Sequence, residues 1–452
     1  MTTTSTHLAE LPSPERLSSE RPGPVRAYSS AVQHDDVGSR VSGRVRTEKV
    51  PLPREIWVLV AAAFVIAIGF GIVAPALPAF ATSFDVGVTA ASAVISAFAL
   101  MRLVFTPTAG SLVQRLGERP VYLVGLVVVA VSTGACAFAQ SYWQLLVFRG
   151  LGGIGSTMFT ISALALLVRM APPGIRGRVT GLYASSFLLG NIAGPIVGGL
   201  LVGFGLRVPF LIYAAALLVA VAVVHTQLRH SPLAAPEGPD DRPALRLRDA
   251  WAHRTYRAAL ASSFANGWAV FGVRVALVPL FVVDVLGSEP ALAGVALAVF
   301  AAANAAALLF SGRVADVRGR KPLAVAGLAL LGAGTAWLGF TTSTPPFLLA
   351  CVVAGLGAGM LNPAQQASVA DVIGSRGRGG PVLVGFQMAS DVGGITGPLV
   401  AGFIADRLSF GAAFGLSGAI VLVAAAVWAR APESLERPGV PVAALVEPIT
   451  ER

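Results

Sequence analysis

Charged residues are scarce in this chain. Asp, Glu, Lys and Arg make up only 12% of its 452 residues, whereas 55% are hydrophobic and the mean hydropathy is +0.74. A soluble protein of this length needs far more charge to cover its surface, so the composition excludes a soluble globular fold. Cysteine is equally scarce, since Cys136 and Cys351 are the only two and both fall within apolar runs. Such a pair excludes a secreted disulfide framework and is typical of small buried side chains.

Motifs for cofactor chemistry are missing as well. The sequence has no Gly-x-x-x-x-Gly-Lys-Ser/Thr phosphate loop, which argues against nucleotide hydrolysis by this chain as an energy source. It has no His-Glu-x-x-His and no Cys/His cluster with ligand spacing, which argues against an intramembrane metalloenzyme. We therefore predict no cofactor, no metal site and no enzymatic activity.

Long apolar runs are what the sequence has instead. Each is close to the roughly 20 residues that a helix needs to cross the hydrocarbon core of a membrane. Short segments of alternating hydrophobicity, the pattern of a membrane β-barrel, are absent. We predict an all-α polytopic membrane protein with twelve transmembrane helices, at residues 56–81, 89–113, 120–139, 144–168, 178–203, 208–225, 257–283, 290–312, 322–341, 346–371, 380–404 and 410–429.

These runs group into two halves joined by a polar stretch. Residues 1–54 are rich in Ser, Thr, Pro and Arg and hold no apolar stretch long enough to build a core, so we predict a disordered tail there. The predicted parts that follow are an N-terminal six-helix bundle at 55–225, a linker at 226–256, a C-terminal six-helix bundle at 257–430 and a tail at 431–452.

Basic residues are distributed by side. On this helix pattern, 28 of the 33 Lys and Arg lie on the side of the termini and the linker, two lie on the other side and three lie within spans. Because cytoplasmic loops carry the excess of Lys and Arg, both termini and the linker are predicted to be cytoplasmic. The net charge of +10 then reflects topology, and no nucleic-acid partner is indicated. Only two of the basic residues are lysines, which is typical of a GC-rich bacterial genome and predicts a bacterial cytoplasmic membrane.

Two segments repeat one another. Residues 110–122 and 312–324 place glycines, a basic residue and a proline at the same spacing, with an offset of 202 positions. The matched pairs are Gly110 with Gly312, Gly117 with Gly319, Arg119 with Lys321 and Pro120 with Pro322. A repeat of this period in an apolar chain predicts two homologous bundles, as in many secondary transporters.

The predicted helix 178–203 carries a spaced glycine pattern, which reads Gly181, Gly190, Gly194-Pro195 and Gly198-Gly199. Glycines let two helices approach closely and a Gly-Pro step kinks a helix, although small residues also form generic packing faces in membranes. With this spacing the chain resembles the drug:proton antiporters of the major facilitator superfamily, whose fifth helix carries the pattern. The predicted helix 380–404 repeats it as Gly385, Gly393, Gly397-Pro398 and Gly402, with Ala401 in place of a glycine.

The repeated segments are similar to a loop motif of the same superfamily, Gly-x-Leu-Ala-Asp-Arg-x-Gly-Arg-Lys. The second copy keeps Asp316, Gly319, Arg320 and Lys321. In the first copy, Gln114 stands where the family has its aspartate and Glu118 where it has an arginine. The family's aspartate helps to latch the bundles in the outward-facing state, so the resemblance implies a latch at Asp316. At Gln114 a basic turn that only sets topology remains the alternative.

A further resemblance lies in the predicted helix 144–168. Residues 148–155 resemble the superfamily motif in which an intramembrane arginine, here Arg149, is implicated in proton movement. Burying a guanidinium in a membrane costs several kcal/mol by order of magnitude, so Arg149 needs a partner or water. It lies only roughly 8–10 Å from the helix end at 1.5 Å per residue, so reaching outward to the surface is the alternative.

Asp391 is the one carboxylate that we predict near the middle of a span. Surroundings of low dielectric constant favour the protonated form of a carboxyl group, which lets it take up and release protons. Gln387 and Gly394 lie on the same face of the predicted helix. We predict that Asp391 carries the proton and pairs with Arg102 or Arg149 when it is deprotonated. The alternative is a permanent ion pair with one of these arginines that holds the bundles together.

Few polar side chains are available to a substrate. Arg274 shares a helix stripe with Phe271, and either binds an anionic group or reaches lipid headgroups. The other candidates are amides scattered among Phe and Met: Asn191, Asn266, Asn304, Asn362, Gln365, Gln366 and Gln387. Flexible apolar side chains of this kind favour a broad range of mostly apolar compounds.

The resemblance implies a monomeric exporter that exchanges small, mostly apolar compounds for protons, with the substrate, protons and the lipid bilayer as its partners. The alternative is a proton symporter or uniporter that imports a small nutrient, although importers of this kind usually have more polar groups in the cavity. A membrane sensor is disfavoured because the loops are too short to hold an output domain.

Overall fold

A computed structural model describes residues 52–170, 176–228, 247–374 and 380–435 of the chain. Within these ranges twelve helical spans are long and apolar enough to cross a membrane. This confirms the predicted all-α, polytopic fold. The predicted tails fall almost wholly outside the described residues, as does most of the predicted linker.

The helices fall into two sets of six spans. The first bundle contains α1 (Arg54–Thr82), α2 (Val88–Leu116), α3 (Glu118–Ala137), α4 (Tyr142–Met170), α5 (Arg176–Val202) and α6 (Val208–Leu228). A short helix, α7 (Leu247–Ala252), precedes the second bundle. That bundle contains one span made of α8 (Arg254–Asn266), a π-helical segment (Gly267–Val273) and α9 (Arg274–Asp284), followed by α10 (Ala291–Arg318), α11 (Arg320–Leu338), α12 (Thr344–Ile373), α13 (Gly380–Arg407) and α14 (Phe410–Arg430).

Four predicted spans end three or more residues too early, those of α2, α6, α10 and α13, and two of these ends lie in the repeated segments. The predicted spans 89–113 and 290–312 stop short, because α2 continues to Leu116 and α10 to Arg318. Each helix then ends at a glycine with positive φ, +86° at Gly117 and +109° at Gly319, a conformation that L side chains rarely adopt. The repeated segments are therefore mostly helix, and a single glycine makes each turn.

The connections make neighbouring spans antiparallel. We call the end of the array where α1 begins the amino-terminal face, and the end where α1 stops the opposite face. Within the first bundle α1 packs on α5 and α6, and α3 on α4; within the second, α10 and α11 pack on α12, and α13 on α8 and the π-helical segment. The bundles meet through two equivalent pairs, α2 with α13 and α5 with α10.

The π-helical segment was not predicted, because residues 257–283 have the pattern of a continuous helix. π-helical turns inside α-helices are rare and often mark functional sites. Gly267, its first residue, lies against the backbone of Ser390 so closely that a Cβ atom there would overlap the Ser390 carbonyl oxygen. The π-helical segment therefore packs directly against α13 at Ser390, the residue before Asp391.

Candidate functional site

A cavity of about 350 Å³ lies between the two bundles, near the middle of the spans. Six phenylalanines supply much of its apolar lining: Phe70, Phe98, Phe159, Phe187, Phe271 and Phe300. Its polar lining includes three arginines and four amides, Arg102, Arg149, Arg274, Asn191, Asn266, Asn304 and Asn362, together with the hydroxyl groups of Ser156, Thr160 and Tyr213. The fold thus brings together candidates that lie on seven different helices.

Asp391 lines an adjoining space of about 180 Å³. That space shares Arg102, Arg149 and Phe271 with the larger cavity, so the two lie side by side. The Asp391 carboxylate accepts a hydrogen bond from Gln387 Nε2 at 3.3 Å. In the described part of the chain it forms no ion pair with an arginine. A permanent ion pair is therefore not present in this conformation, and Asp391 lies beside two arginines without being locked to either.

Arg149 lies in the cavity and is only 7% exposed. Its guanidinium carbon is 4.3 Å from the centre of the Phe98 ring and 5.8 Å from that of Phe70. Aromatic faces attract a cation, and these two rings hold the guanidinium at the cavity wall. The alternative was that the side chain reaches outward to the nearer terminus of α4, at Tyr142, and it does not.

Arg274 is the most deeply buried of the three arginines, at 3% exposed. Its guanidinium stacks on the ring of Phe300, with 3.6 Å between the guanidinium carbon and the ring centre, and the Cys351 thiol lies beside it. Among the described residues none of its three nitrogens has an oxygen or nitrogen acceptor. Arg274 therefore belongs to the cavity, and it does not reach out to lipid headgroups.

One predicted cavity residue was wrongly placed. Gln365 is buried beside the cavity wall and does not line it. Its Oε1 accepts a hydrogen bond from Ser262 at 3.0 Å, and its Nε2 donates to Asn362 Oδ1 at 3.2 Å. Gln365 therefore joins α12 to α8 and orients Asn362, which does line the cavity.

The cavity continues toward the amino-terminal face. A further space of about 480 Å³ is lined by Asn191 and Asn304, near the middle of α5 and α10, and by Asn362 and Gln366, in the half of α12 nearest that face. At Gly181 and Gly312, beyond this space, a Cβ atom would have no neighbour within 4 Å. Among the described residues, these parts of α5 and α10 therefore do not touch the other bundle on the amino-terminal side of the cavity.

The opposite face is closed by glycines of the spaced pattern. Gly190, Gly194 and Gly198 lie against the backbone of α1, inside the first bundle. Gly199 instead lies against Ala291 and Gly294 of α10, in the other bundle. Gly402 does the same in the second copy, where its neighbours are Thr89 and Ser92 of α2. The pattern therefore joins helices within a bundle along most of its length and closes the two bundles against each other at its end.

A carboxylate that the sequence did not single out also closes the opposite face. Asp406, near the end of α13, accepts hydrogen bonds from the backbone N–H groups of Val88 and Thr89 at 2.8 and 2.7 Å, and from the Thr89 hydroxyl at 2.5 Å. Val88 and Thr89 begin α2, where free N–H groups and the helix dipole favour a negative charge. Asp406 thus caps a helix of the first bundle from the second bundle.

Replacing Asp406 with alanine is expected to open this face. Three hydrogen bonds to a charged group are lost, and because the site is exposed we expect a cost on the order of 1–2 kcal/mol, roughly a 5- to 30-fold shift between states. Spin labels on cysteines introduced at Ser83 and Leu408 should then report longer distances. Glu289→Ala removes a carboxylate from the same face and should leave the distances unchanged; an unchanged distribution in Asp406→Ala itself would refute the role.

The predicted latch at the amino-terminal face is not engaged in this conformation. Asp316 and Gln114 are both exposed, and neither makes a hydrogen bond or ion pair with another described residue. Gly110 has no neighbour within 4 Å of an added Cβ atom. A latch that holds the outward-facing state would be released when the bundles separate at this face, and the exposed Asp316 matches a released latch.

The two copies of the loop motif carry the same ion pair with the charges exchanged. Glu118 of α3 pairs with Arg169 of α4 at 2.5 Å. Arg320 of α11 pairs with Asp371 of α12. The offset of 202 residues relates Glu118 to Arg320 and also Arg169 to Asp371. Glu118 replaces the arginine of the family motif, and its partner Arg169 is correspondingly basic where the second copy has the acidic Asp371.

Comparison with known proteins agrees with this architecture. The family model of the Major Facilitator Superfamily matches residues 59–289 and 259–451. The chain is 29% identical to the class G tetracycline resistance protein of Vibrio anguillarum over 346 residues, 74% of this chain and 86% of the relative. It is 28% identical to the quinolone resistance protein NorA of Staphylococcus aureus over 181 residues, 40% of this chain and 46% of NorA. The NorA match thus spans less than half of that relative.

Solved structures share the fold. A bacterial homologue of the human lysosomal transporter Spinster, in an inward-facing and unoccupied conformation, aligns with a TM-score of 0.69 at 16% identity and covers 85% of this chain and 98% of that chain. A POT family transporter in complex with 5-aminolevulinic acid aligns with a TM-score of 0.70 at 11% identity, over 83% and 95%. The chain therefore belongs to the major facilitator superfamily, as a multi-pass membrane transporter and not an enzyme.

Proposed function

We propose that this chain is a proton-driven exporter of small organic compounds with a largely apolar body, working by alternating access. The observation that carries the proposal is Asp391, a carboxylate that forms no ion pair with any described residue and lines a space between the two bundles. The same cavity continues to one face and is closed at the other by Gly199, Gly402 and Asp406. A proton bound to Asp391 and a substrate bound beside it can each favour one of the two bundle arrangements. Exchange requires two bound species that act on the same equilibrium in this way.

The amino-terminal face is the cytoplasmic face in this proposal, because the excess of Lys and Arg lies there. Both termini are then cytoplasmic, and the structure corresponds to an inward-facing state in a bacterial cytoplasmic membrane. The relatives named for tetracycline and quinolone resistance support export of compounds of that size and chemistry.

The aspartate and the arginines suggest distinct roles. Ionised Asp391 attracts Arg102 and Arg149 across the space that they share, and protonation releases this attraction. Substrate entering from the amino-terminal face meets the same arginines. If the proton and the substrate compete for binding, each crosses the membrane when the other has left. The two then move in opposite directions.

The test is transport by the purified chain in proteoliposomes, with tetracycline and a quinolone as the first compounds. An acidic lumen is expected to drive accumulation of the compound, because protons leave in exchange, and a protonophore should abolish it. Accumulation driven by an acidic exterior would identify a symporter, and uptake that ignores the pH gradient would identify a uniporter. Either result would overturn the proposal.

A further inference from the structure

The charge of the cavity is out of balance. Arg102, Arg149 and Arg274 line it, whereas Asp391 is the only carboxylate among the described residues of its lining. Even with Asp391 ionised, the cavity has an excess of two positive charges. A space with low-dielectric walls and one sign of charge concentrates ligands of the other sign. This lining disfavours organic cations and favours anions.

Arg274 lines only the larger space, and the described lining of that space contains no carboxylate. A guanidinium stays charged in proteins, and burying it without a partner is costly. Asp391 lies in the adjoining space, which Arg274 does not line, and no described carboxylate pairs with Arg274. The residues around it are the Phe300 ring and the Cys351 thiol, neither of which supplies a negative charge or a strong acceptor.

The residues around Arg274 form a preorganised binding site. Stacking on Phe300 fixes the plane of the guanidinium, so that its donors are held in place before a ligand binds. Asn266 and Asn304 line the same cavity, and the Oδ1 atom of each lacks a partner in the described part of the chain. These two oxygens can accept hydrogen bonds from donor groups on the body of a compound, while Phe271, which is 58% exposed, offers an aromatic surface.

We propose that Arg274 binds the carboxylate of the transported compound, and that the substrates are aromatic carboxylic acids. This inference rests on the proposed function and specifies its substrate class. A planar guanidinium can hold a carboxylate through two parallel hydrogen bonds, and the aromatic body of the compound packs against Phe271 and Phe187. The compounds proposed here keep the apolar body expected from the sequence and carry a carboxylate group as well.

The experiment measures binding to the purified full chain by calorimetry with three matched probes: 1-naphthoate, 1-naphthamide and 1-naphthylmethylammonium. We expect naphthoate to bind roughly 10- to 100-fold more tightly than naphthamide, the range for a charged hydrogen-bonded pair, and the ammonium to bind most weakly. Arg274→Gln should remove this preference by weakening naphthoate alone. Arg207→Gln, which removes an arginine outside the cavity, should preserve it.

Equal affinity for naphthoate and naphthamide in the wild-type chain, or a preference that survives in Arg274→Gln, would overturn the assignment. Arg274→Lys keeps the charge but loses the planar fork, so it should bind naphthoate with intermediate affinity and serves if Arg274→Gln does not fold. Because binding needs no gradient, the two proposals fail separately. A clear preference for naphthoate without transport driven by pH would retain the substrate class and reject proton-driven export.

Discussion

Asp391→Asn is expected to abolish accumulation of substrate driven by a pH gradient. The amide has the shape of the protonated acid but cannot release a proton, so the cavity is held in one of the two charge states that exchange requires. Downhill exchange of substrate should persist, because the cavity and its aromatic lining are unchanged. The measurement is uptake into proteoliposomes with an acidic lumen, compared with counterflow of labelled compound in the absence of a gradient.

Asp284→Asn is the matched control for this variant. Asp284 is an exposed carboxylate at the end of α9, away from the cavity lining, and its replacement should leave accumulation close to the wild-type level. If Asp391→Asn still builds a gradient in response to pH, the proton is carried elsewhere. Asp371, which pairs with Arg320, is then the next carboxylate to replace.

Gly199→Val is expected to hold the opposite face open. A Cβ atom at Gly199 would lie 2.8 Å from the Ala291 carbonyl oxygen and 3.2 Å from the Gly294 Cα atom, both in the other bundle. Overpacking of this kind costs on the order of 1–3 kcal/mol. Because the contact exists only when this face is closed, the cost shifts the balance of states by roughly 5- to 150-fold. Transport should fall steeply, and spin-label distances across this face should lengthen.

Two other glycines of the same helix separate this effect from a general loss of packing. Gly181→Val places the same side chain where no atom lies within 4 Å, so it should change neither transport nor distances. Gly194→Val overlaps α1 inside the first bundle, so it should lower transport and thermal stability without favouring either face. Transport at the wild-type rate in Gly199→Val would show that the close approach is incidental.

The number of spans and the membership of the cavity could be predicted because a membrane restricts both. A helix must be about 20 residues long and apolar to cross, and a charge inside it must face protein or water. Asp391, Arg102, Arg149 and Arg274 were found by this rule, and the structure places all four around two adjoining spaces, with Asp391 in one and Arg274 in the other. The close approaches at Gly190, Gly194 and Gly198 follow similarly from the spacing of residues without side chains.

Contacts between distant parts of the chain could not be predicted in this way. Asp406 caps a helix that begins more than 300 residues earlier, and no local pattern marks it. Glu433 likewise accepts hydrogen bonds from the N–H groups of Arg320 and Lys321 at 3.0 and 3.1 Å, and so caps α11. Gln365 was misplaced because a turn of α12 has polar residues on two faces, and only the neighbouring helix decides which face meets the cavity.

The exchanged ion pairs have a consequence for how the chain assembles in the membrane. Its two halves are alike, so α3 and α11 present similar surfaces to α4 and α12 while the helices are still finding their neighbours. A mistaken pairing of α3 with α12 would set Glu118 against Asp371, and one of α11 with α4 would set Arg320 against Arg169. Like charges at partly buried positions repel, so each wrong pairing is penalised and each correct one rewarded. A duplicated protein can in this way keep two halves of similar structure. The inverted charges prevent a helix of one half from taking the place of its counterpart in the other.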